Sequence, residues 1–217
     1  LITDADIDHI AGLLTLRERT TFTLFATRST LVGLQANPIF NALASGVVER
    51  RCLAPGEPAE LVDGVRAELF RVPGKIPLYL ENPGRLPATD AETDETVGVE
   101  LTDGKRKALY IPCCGKITEA LRARIYGADL LLFDGTVFHD DELIRENVGE
   151  KTGRRMGHLP IAGPDGSIQA LAEVAVGRKI YIHINNTNPI WRHDSPERHA
   201  IAEYGWEIAF DGMEVTL

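Results

Sequence analysis

Residue types able to carry chemistry crowd the first nine positions, where Asp4, Asp6 and Asp8 alternate and His9 follows directly. Alternation puts three carboxylates on one side of an extended segment. Leu1 and Ile2 lead in as the end of a buried strand, and a helical pattern begins after His9. A strand running into a helix N-terminus is a common place for ligands and metals. The same stretch also reads as an acidic turn in which Asp8 caps the helix. Asp8 and His9 together offer oxygen and nitrogen donors of intermediate hardness, which suit Fe(II), Mn(II) or Zn(II).

Far along the chain, His183 ends an apolar run over 179–184 and opens His-Ile-Asn-Asn-Thr-Asn-Pro. A histidine at a strand end, before an amide-rich loop, is placed to enter a site with Asn185 and Asn186 beside it. The alternative is a hydrogen-bonded core histidine whose asparagines shape a turn. His158 lies in Met-Gly-His-Leu-Pro, where Gly157 permits close backbone approach and Pro160 can start a helix. It is a candidate ligand, proton shuttle or substrate contact. His139, His193 and His199 sit in charged segments and read as solvated. Asp134-Gly135-Thr136 ends another apolar run and could be turn chemistry alone. Cys113-Cys114-Gly115 also ends a strand. Vicinal cysteines rarely pair with each other, so burial is the first reading, with reactivity or metal contact behind it.

The elements that must position these groups follow from periodicity and turn residues. Strands are expected at 22–26, 50–53, 59–62, 65–72, 97–101, 107–111, 130–133, 179–184 and 208–217. Helices are expected at 29–43 with a break at Asn37-Pro38, at 117–126, at 167–176 and at 199–204. Asp63-Gly64 and Asp103-Gly104 are hairpin signals. The polar, proline-bearing stretch 82–96 reads as a mobile loop or flap. One domain over 1–217, with two sheets flanked by helices, is the expected organisation.

Composition narrows the function. Thirty-two acidic against 23 basic residues give a net charge of −9 over 217 residues, which argues against nucleic acid and anionic membranes as partners. No apolar run is long enough to span a bilayer. The three cysteines, Cys52, Cys113 and Cys114, make no disulfide framework, so a cytoplasmic location is expected. The chain opens inside an apparent strand without a Met, and a preceding segment is expected.

Taken together, these motifs resemble the metallo-β-lactamase superfamily. The His-x-His-x-Asp-His signature of that superfamily falls on residues 4–9. More narrowly the chain is similar to the coenzyme PQQ synthesis protein B family over nearly its whole length. The similarity is carried by Asp-His-x-x-Gly-Leu at 8–13, Val-Pro-Gly-Lys-Ile-Pro-Leu-Tyr-Leu at 72–80 and Tyr-Ile-Pro-Cys-Cys-Gly-Lys-Ile-Thr at 110–118. It continues in Met-Gly-His-Leu-Pro at 156–160, His-Ile-Asn-Asn-Thr-Asn-Pro at 183–189, Asp-Ser-Pro-Glu-Arg at 194–198 and Asp-Gly-Met-Glu at 211–214.

The resemblance implies an α+β, four-layer αββα fold lacking the family's N-terminal strands. It also implies that Asp4 and Asp6 replace two histidines of the superfamily's first metal site. Gly74 stands in place of the third, and Cys113 in place of the bridging aspartate. Asp8, His9 and His183 remain as metal ligands, His158 as the catalytic histidine, and Asn185, Asn186 and Asp134 as substrate-binding or supporting groups. The implied activity is an iron-dependent hydroxylase in pyrroloquinoline quinone synthesis, acting with O2 on the tyrosine of a precursor peptide or its Glu-Tyr fragment. Two other classes stay open: a Zn- or Mn-dependent hydrolase recruiting Asp4, Asp6 or a cysteine, and a carrier or transport factor for the quinone. A homodimer is the further partner considered.

Overall fold

In the computed structural model, which describes residues 1–82, 84 and 88–217, nine strands run in chain order. They are β1 (Phe22–Ala26), β2 (Val48–Cys52), β3 (Pro58–Val62), β4 (Val65–Gly74), β5 (Ala91–Thr102), β6 (Lys107–Ile111), β7 (Ala128–Asp134), β8 (Val176–Ile182) and β9 (Trp206–Ile208). The helices are α1 (Ile7–Ile10), α2 (Arg28–Ala36), α3 (Glu119–Ile125), α4 (Glu142–Arg145), α5 (Ser167–Ala170) and α6 (Pro196–Glu203). Three start on hydroxyl caps: Thr27, Thr118 and Ser195 accept from the backbone N–H of Thr30, Leu121 and Arg198, satisfying donors that a helix N-terminus leaves open. The expected break at Asn37-Pro38 separates α2 from a 3-10 turn over Pro38–Ala42.

β1 and β2 pair in parallel, and β3 to β9 form one mixed sheet in sequential order. Its β3–β6 half is antiparallel and its β6–β9 half parallel. Side-chain alternation along the strands divides the core into three layers. Leu24 and Val48 of the small sheet pack with Leu34, Phe40 and Leu43. Ala67, Leu69, Val97 and Val99 of the large sheet meet Leu53 and Phe25 between the sheets. The opposite face of the large sheet, with Phe70, Val72, Leu109, Ile111 and Leu131, is covered by Leu121, Ile125, Ile168, Leu171 and Ile201. This is the helix–sheet–sheet–helix layering of the metallo-β-lactamase fold.

Several sequence expectations are corrected. Leu1 and Ile2 are not in a strand; residues 1–6 have no regular secondary structure, bend at Thr3 and are tied to both sheets, with Ile2 N–H donating to Phe25 O and Val97 N–H donating to Thr3 O. Residues 91–96 are not loop but the start of β5, because β4 pairs with Ala91 and Glu92 beyond a break in register. Of the supposed flap, residues 83 and 85–87 lie outside the described residues. The helix expected over 167–176 stops at Ala170, since Val176 pairs with Ala128 in the sheet. Pro160 starts no helix; its carbonyl accepts from Ser167 N–H. The last strand ends at Ile208, where Ala209 N–H bonds to Tyr181 O and the Asp211-Gly212 turn follows.

Gly98 is fixed by packing. It faces Phe70 across the β4–β5 ladder, and a Cβ there would run into the phenyl ring. Gly98→Ala is expected to cost about 1–3 kcal/mol through overpacking, measured by denaturant unfolding, with metal stoichiometry unchanged.

Candidate metal centre

α1 begins where the opening residues leave the gap between the sheets, and the helical turn puts Asp8 and His9 side by side. Asp6 holds the N-cap position and Asp8 lies inside the first turn, so Asp8 is not the cap. His183 comes from the turn after β8 and has φ +53, a left-handed conformation that is uncommon outside Gly and in which Asn, Asp and His are the enriched side chains. Its Nε2 lies 2.8 Å from His9 Nε2 and 3.1 Å from Asp8 Oδ2, and His9 Nε2 lies 3.8 Å from Asp8 Oδ2. The three side chains converge.

The outer edges of both rings are engaged. His9 Nδ1 lies 2.8 Å from Asp4 Oδ2, and His183 Nδ1 lies 2.7 Å from Thr136 Oγ1. With Nδ1–H directed outward, each imidazole turns an Nε2 lone pair toward the point that the Asp8 carboxylate also faces. Three such donors repel one another unless a cation lies between them. Ligands at about 2.0–2.2 Å from one ion stand roughly 3 Å apart when they meet at right angles, so the donor set fits a single metal. Imidazole ligands backed by a carboxylate or hydroxyl are the usual supporting arrangement.

The ligand side chains and their neighbours shift one another's titration. In the metal-free protein a proton on His183 Nε2 can bond to Asp8 Oδ2, and that hydrogen bond, against partial burial, holds Asp8 well below the ordinary carboxylate range; an ion takes that proton's place. Burial disfavours the charged form of His9, but the hydrogen bond and charge of Asp4 outweigh it and raise the pKa. Metal uptake therefore competes with a proton on His9, and ion binding is expected to release protons and weaken as pH falls. Calorimetry in buffers of different ionisation enthalpy measures this, and uptake without proton release contradicts it.

The residues at the superfamily's first metal site are committed elsewhere. Asp4 supports His9. Asp6 accepts from Lys75 Nζ at 2.9 and 3.1 Å. A Cβ at Gly74 would lie 2.6 Å from Thr96 Oγ1, so Thr96 fills the space a histidine would need. Asp4, Asp6 and Asp8 thus serve three different partners rather than one face. Cys113 Sγ lies 3.8 Å from His9 Nε2, and burial, with the charge of Asp4 next, pushes its thiol well above the usual range. Both cysteines of the pair are buried. Lys75→Met is expected to leave metal content at one ion per chain, since Asp6 alone gives a second ion one carboxylate. Elemental analysis giving two ions would refute this.

Behind His183 lies a second cluster. Asp134, at 0% exposure, accepts from Cys114 N–H, Thr136 N–H and Thr136 Oγ1–H, and lies 2.8 Å from His158 Nδ1. Burial raises the pKa of Asp134, but His158 outweighs it and the net shift is downward. Burial lowers that of His158, yet Asp134 outweighs it and the net shift is upward. Each member favours the charged form of the other, and the His158 ring lies over His183 with centroids 5.2 Å apart. Gly157 (φ +86) makes the turn into His158, and a Cβ there would meet Lys75 Cγ at 2.9 Å.

His158, Thr136, His183, Asp8, Asn185 and Asn186 open onto a cavity of about 720 Å³, walled by Leu78, Tyr79, Met156 and Ile184 and bearing Lys75, Lys151 and Arg155. Asn185 Nδ2 donates to Thr187 Oγ1, which donates to Glu142. Asp134 is not on the cavity wall; it stands behind His158. His193 and His199 are exposed and His139 half-buried, all apart from the centre. Sequence reasoning does not single out Lys75, Thr136, Arg155 or the buried Asn188, whose Nδ2 donates to Gly135 O. Only Thr136, beside Asp134 at a strand end, carries a local signal.

Residues 1–184 match the model of the Beta-lactamase superfamily domain. Coenzyme PQQ synthesis protein B of Ruegeria pomeroyi is 53% identical over 217 residues, covering all of this chain and 72% of that protein. The crystal structure of Zn(2+)-bound PqqB from Methylobacterium extorquens superposes with a TM-score of 0.96 at 48% identity, covering 99% of this chain and 71% of that one. The metallo-β-lactamase fold protein YhfI from Bacillus subtilis, at 13% identity, TM-score 0.62 and coverage of 95% and 72%, shares the fold alone. Among the described residues no helix is long and apolar enough to cross a membrane. With half its residues identical along its full length and its layers superposed, the chain belongs to the coenzyme PQQ synthesis protein B family of the metallo-β-lactamase superfamily.

Proposed function

We propose that this chain, as a member of a family for pyrroloquinoline quinone synthesis, is an iron-dependent hydroxylase. Its substrate is the tyrosine of the precursor peptide or of a Glu-Tyr fragment. The observation that carries this is the one-metal donor set of Asp8, His9 and His183, with Asp4, Asp6 and position 74 committed to other partners. Two histidines and one carboxylate leave coordination positions open, the arrangement that suits non-haem Fe(II) and dioxygen. Bound there, Fe(II) supplies the activation of O2; the remaining work falls to the chain.

Leu78, Tyr79, Met156 and Ile184 give an aromatic ring an apolar wall beside the metal ligands, and the cavity volume suits a small ligand. Lys151 and Arg155 put positive charge on the same wall, complementary to the carboxylates of an acidic dipeptide; Arg155 is shared with Glu81 at 2.9 Å. His158, held at Nδ1 by Asp134, presents Nε2 toward the cavity and can take or return the phenolic proton. A binuclear hydrolase would need the first-site positions that Lys75 and Thr96 occupy.

The test is oxygen uptake by the Fe(II)-loaded protein with a reductant and a tyrosine-containing acidic peptide. Uptake that requires the peptide and disappears when Zn(II) replaces Fe(II) is the expected result. Peptide cleavage without oxygen uptake would refute it.

A further inference from the structure

The cavity histidine and the metal-facing histidine hang from one carboxylate through one hydroxyl. Thr136 Oγ1 lies 2.7 Å from Asp134 Oδ1, 2.7 Å from His183 Nδ1, 3.0 Å from His183 O and 3.1 Å from His158 Nδ1. A hydroxyl has a single proton to donate, so these contacts can be assigned. The charged acceptor, at the same 2.7 Å as His183 Nδ1, is the carboxylate of Asp134, whose second oxygen already takes Cys114 N–H and His158 Nδ1. If the hydroxyl proton went to His183 Nδ1 instead, Oγ1 and Oδ1 would face each other at 2.7 Å with lone pairs only. The proton therefore goes to Asp134, and Oγ1 accepts from His183 Nδ1–H.

We propose that Thr136 is a positioning residue that fixes the orientation of both histidines through Asp134, holding each ring at Nδ1 so that His183 Nε2 faces the metal position and His158 Nε2 the cavity. The backbone supports this placement. Thr136 N–H is tied to Asp134 Oδ1, and its carbonyl accepts from Asn185 N–H at 3.1 Å. The turn after β7 and the turn carrying His183 are thereby stitched together. Asn188 Nδ2 adds a 2.8 Å bond to Gly135 O. Thr136 thus transmits the position of a fully buried carboxylate to a residue that touches the metal. A hydrophobic isostere at 136 keeps the shape but gives His183 Nδ1–H no acceptor and leaves one Asp134 oxygen a donor short.

The inference rests on the metal assignment proposed above, and the experiment separates the two. In the Co(II)-substituted protein, each ligating histidine gives one hyperfine-shifted, solvent-exchangeable Nδ1–H proton resonance. Two are expected in the wild type, for His9 and His183. Thr136→Ser is expected to keep both. Thr136→Val is expected to lose or broaden the His183 signal, to keep that of His9, and to bind Co(II) about 10- to 100-fold more weakly. The retained His9 signal doubles as the check that the variant is folded. A wild-type protein that binds no Co(II), or shows no such pair, overturns the metal assignment and the inference with it. A paired wild type with an unchanged Thr136→Val spectrum and affinity overturns the inference alone. Two-bond 15N–1H spectra of the Zn(II)-loaded wild type need no variant. They should place a proton on Nδ1 of both His158 and His183, and a bare Nδ1 on either ring overturns the inference.

Discussion

His183→Ala is expected to lower the metal content from one ion per chain to far below stoichiometric. The loss should exceed the roughly 10- to 100-fold that removal of a supporting partner costs, because one of three donors disappears outright. His9 Nε2 and Asp8 Oδ2, 3.8 Å apart, would remain as two ligands. The substitution also acts on the backbone. Position 183 has φ +53, and an alanine there carries the left-handed penalty without the hydrogen bond from Nδ1–H to Thr136. His183→Gly relieves that conformation and is expected to be about 1 kcal/mol more stable than His183→Ala while binding equally little metal. Elemental analysis after dialysis against buffered metal, beside denaturant unfolding of both variants, checks the two effects separately. Full metal content in either variant would remove His183 from the centre.

Asp134→Asn is expected to have the second largest effect, on turnover and on stability. The carboxylate accepts four donors at 0% exposure. An amide can accept on one side only, so its NH2 must face another donor. One or two unsatisfied buried groups cost about 1–3 kcal/mol each, and misorientation of His158 is expected to slow turnover about 10²- to 10⁴-fold. The sign of the pH dependence follows from both shifts. The folded pKa of Asp134 is lowered, so its contribution is present above the unfolded value of about 3.9 and fades as pH falls through the folded value. The folded pKa of His158 is raised, so its contribution is present below about 6.5 and fades as pH rises through the folded value. The stability gap between wild type and Asp134→Asn should be widest between those limits and narrow on either side. A gap that does not vary with pH would mean that neither member favours the charged form of the other.

Much of the fold is legible in the sequence because local signals and tertiary pairing agree. Asp63-Gly64 and Asp103-Gly104 mark real hairpins, and Asn37-Pro38 marks a real helix break. Where they disagree, the sheet prevails: residues 91–96 are mostly polar and acidic, yet β5 runs through them and β4 pairs with Ala91 and Glu92. Val176 continues an apolar helical pattern but pairs with Ala128. At the centre, Asp8, His9 and His183 can be read from donor type and motif, though 174 residues separate His9 from His183. The tasks of Asp4 and Asp6 cannot. Alternation puts them on one face, whereas the turn into α1 sends one to His9 and the other to Lys75. Lys75 and Thr136 are ordinary residues in sequence and take their significance from what they touch.

On the proposed function, a fold associated with metal-dependent hydrolysis here holds one metal ion and uses O2. The decisive measurement is turnover of the Fe(II)-loaded protein under 18O2, with a tyrosine-containing acidic peptide and mass analysis of the product. The expected product carries one 18O atom for each hydroxyl group added to the ring. A hydroxylated product whose oxygen comes from water, or a cleaved peptide with an unmodified ring, would contradict it.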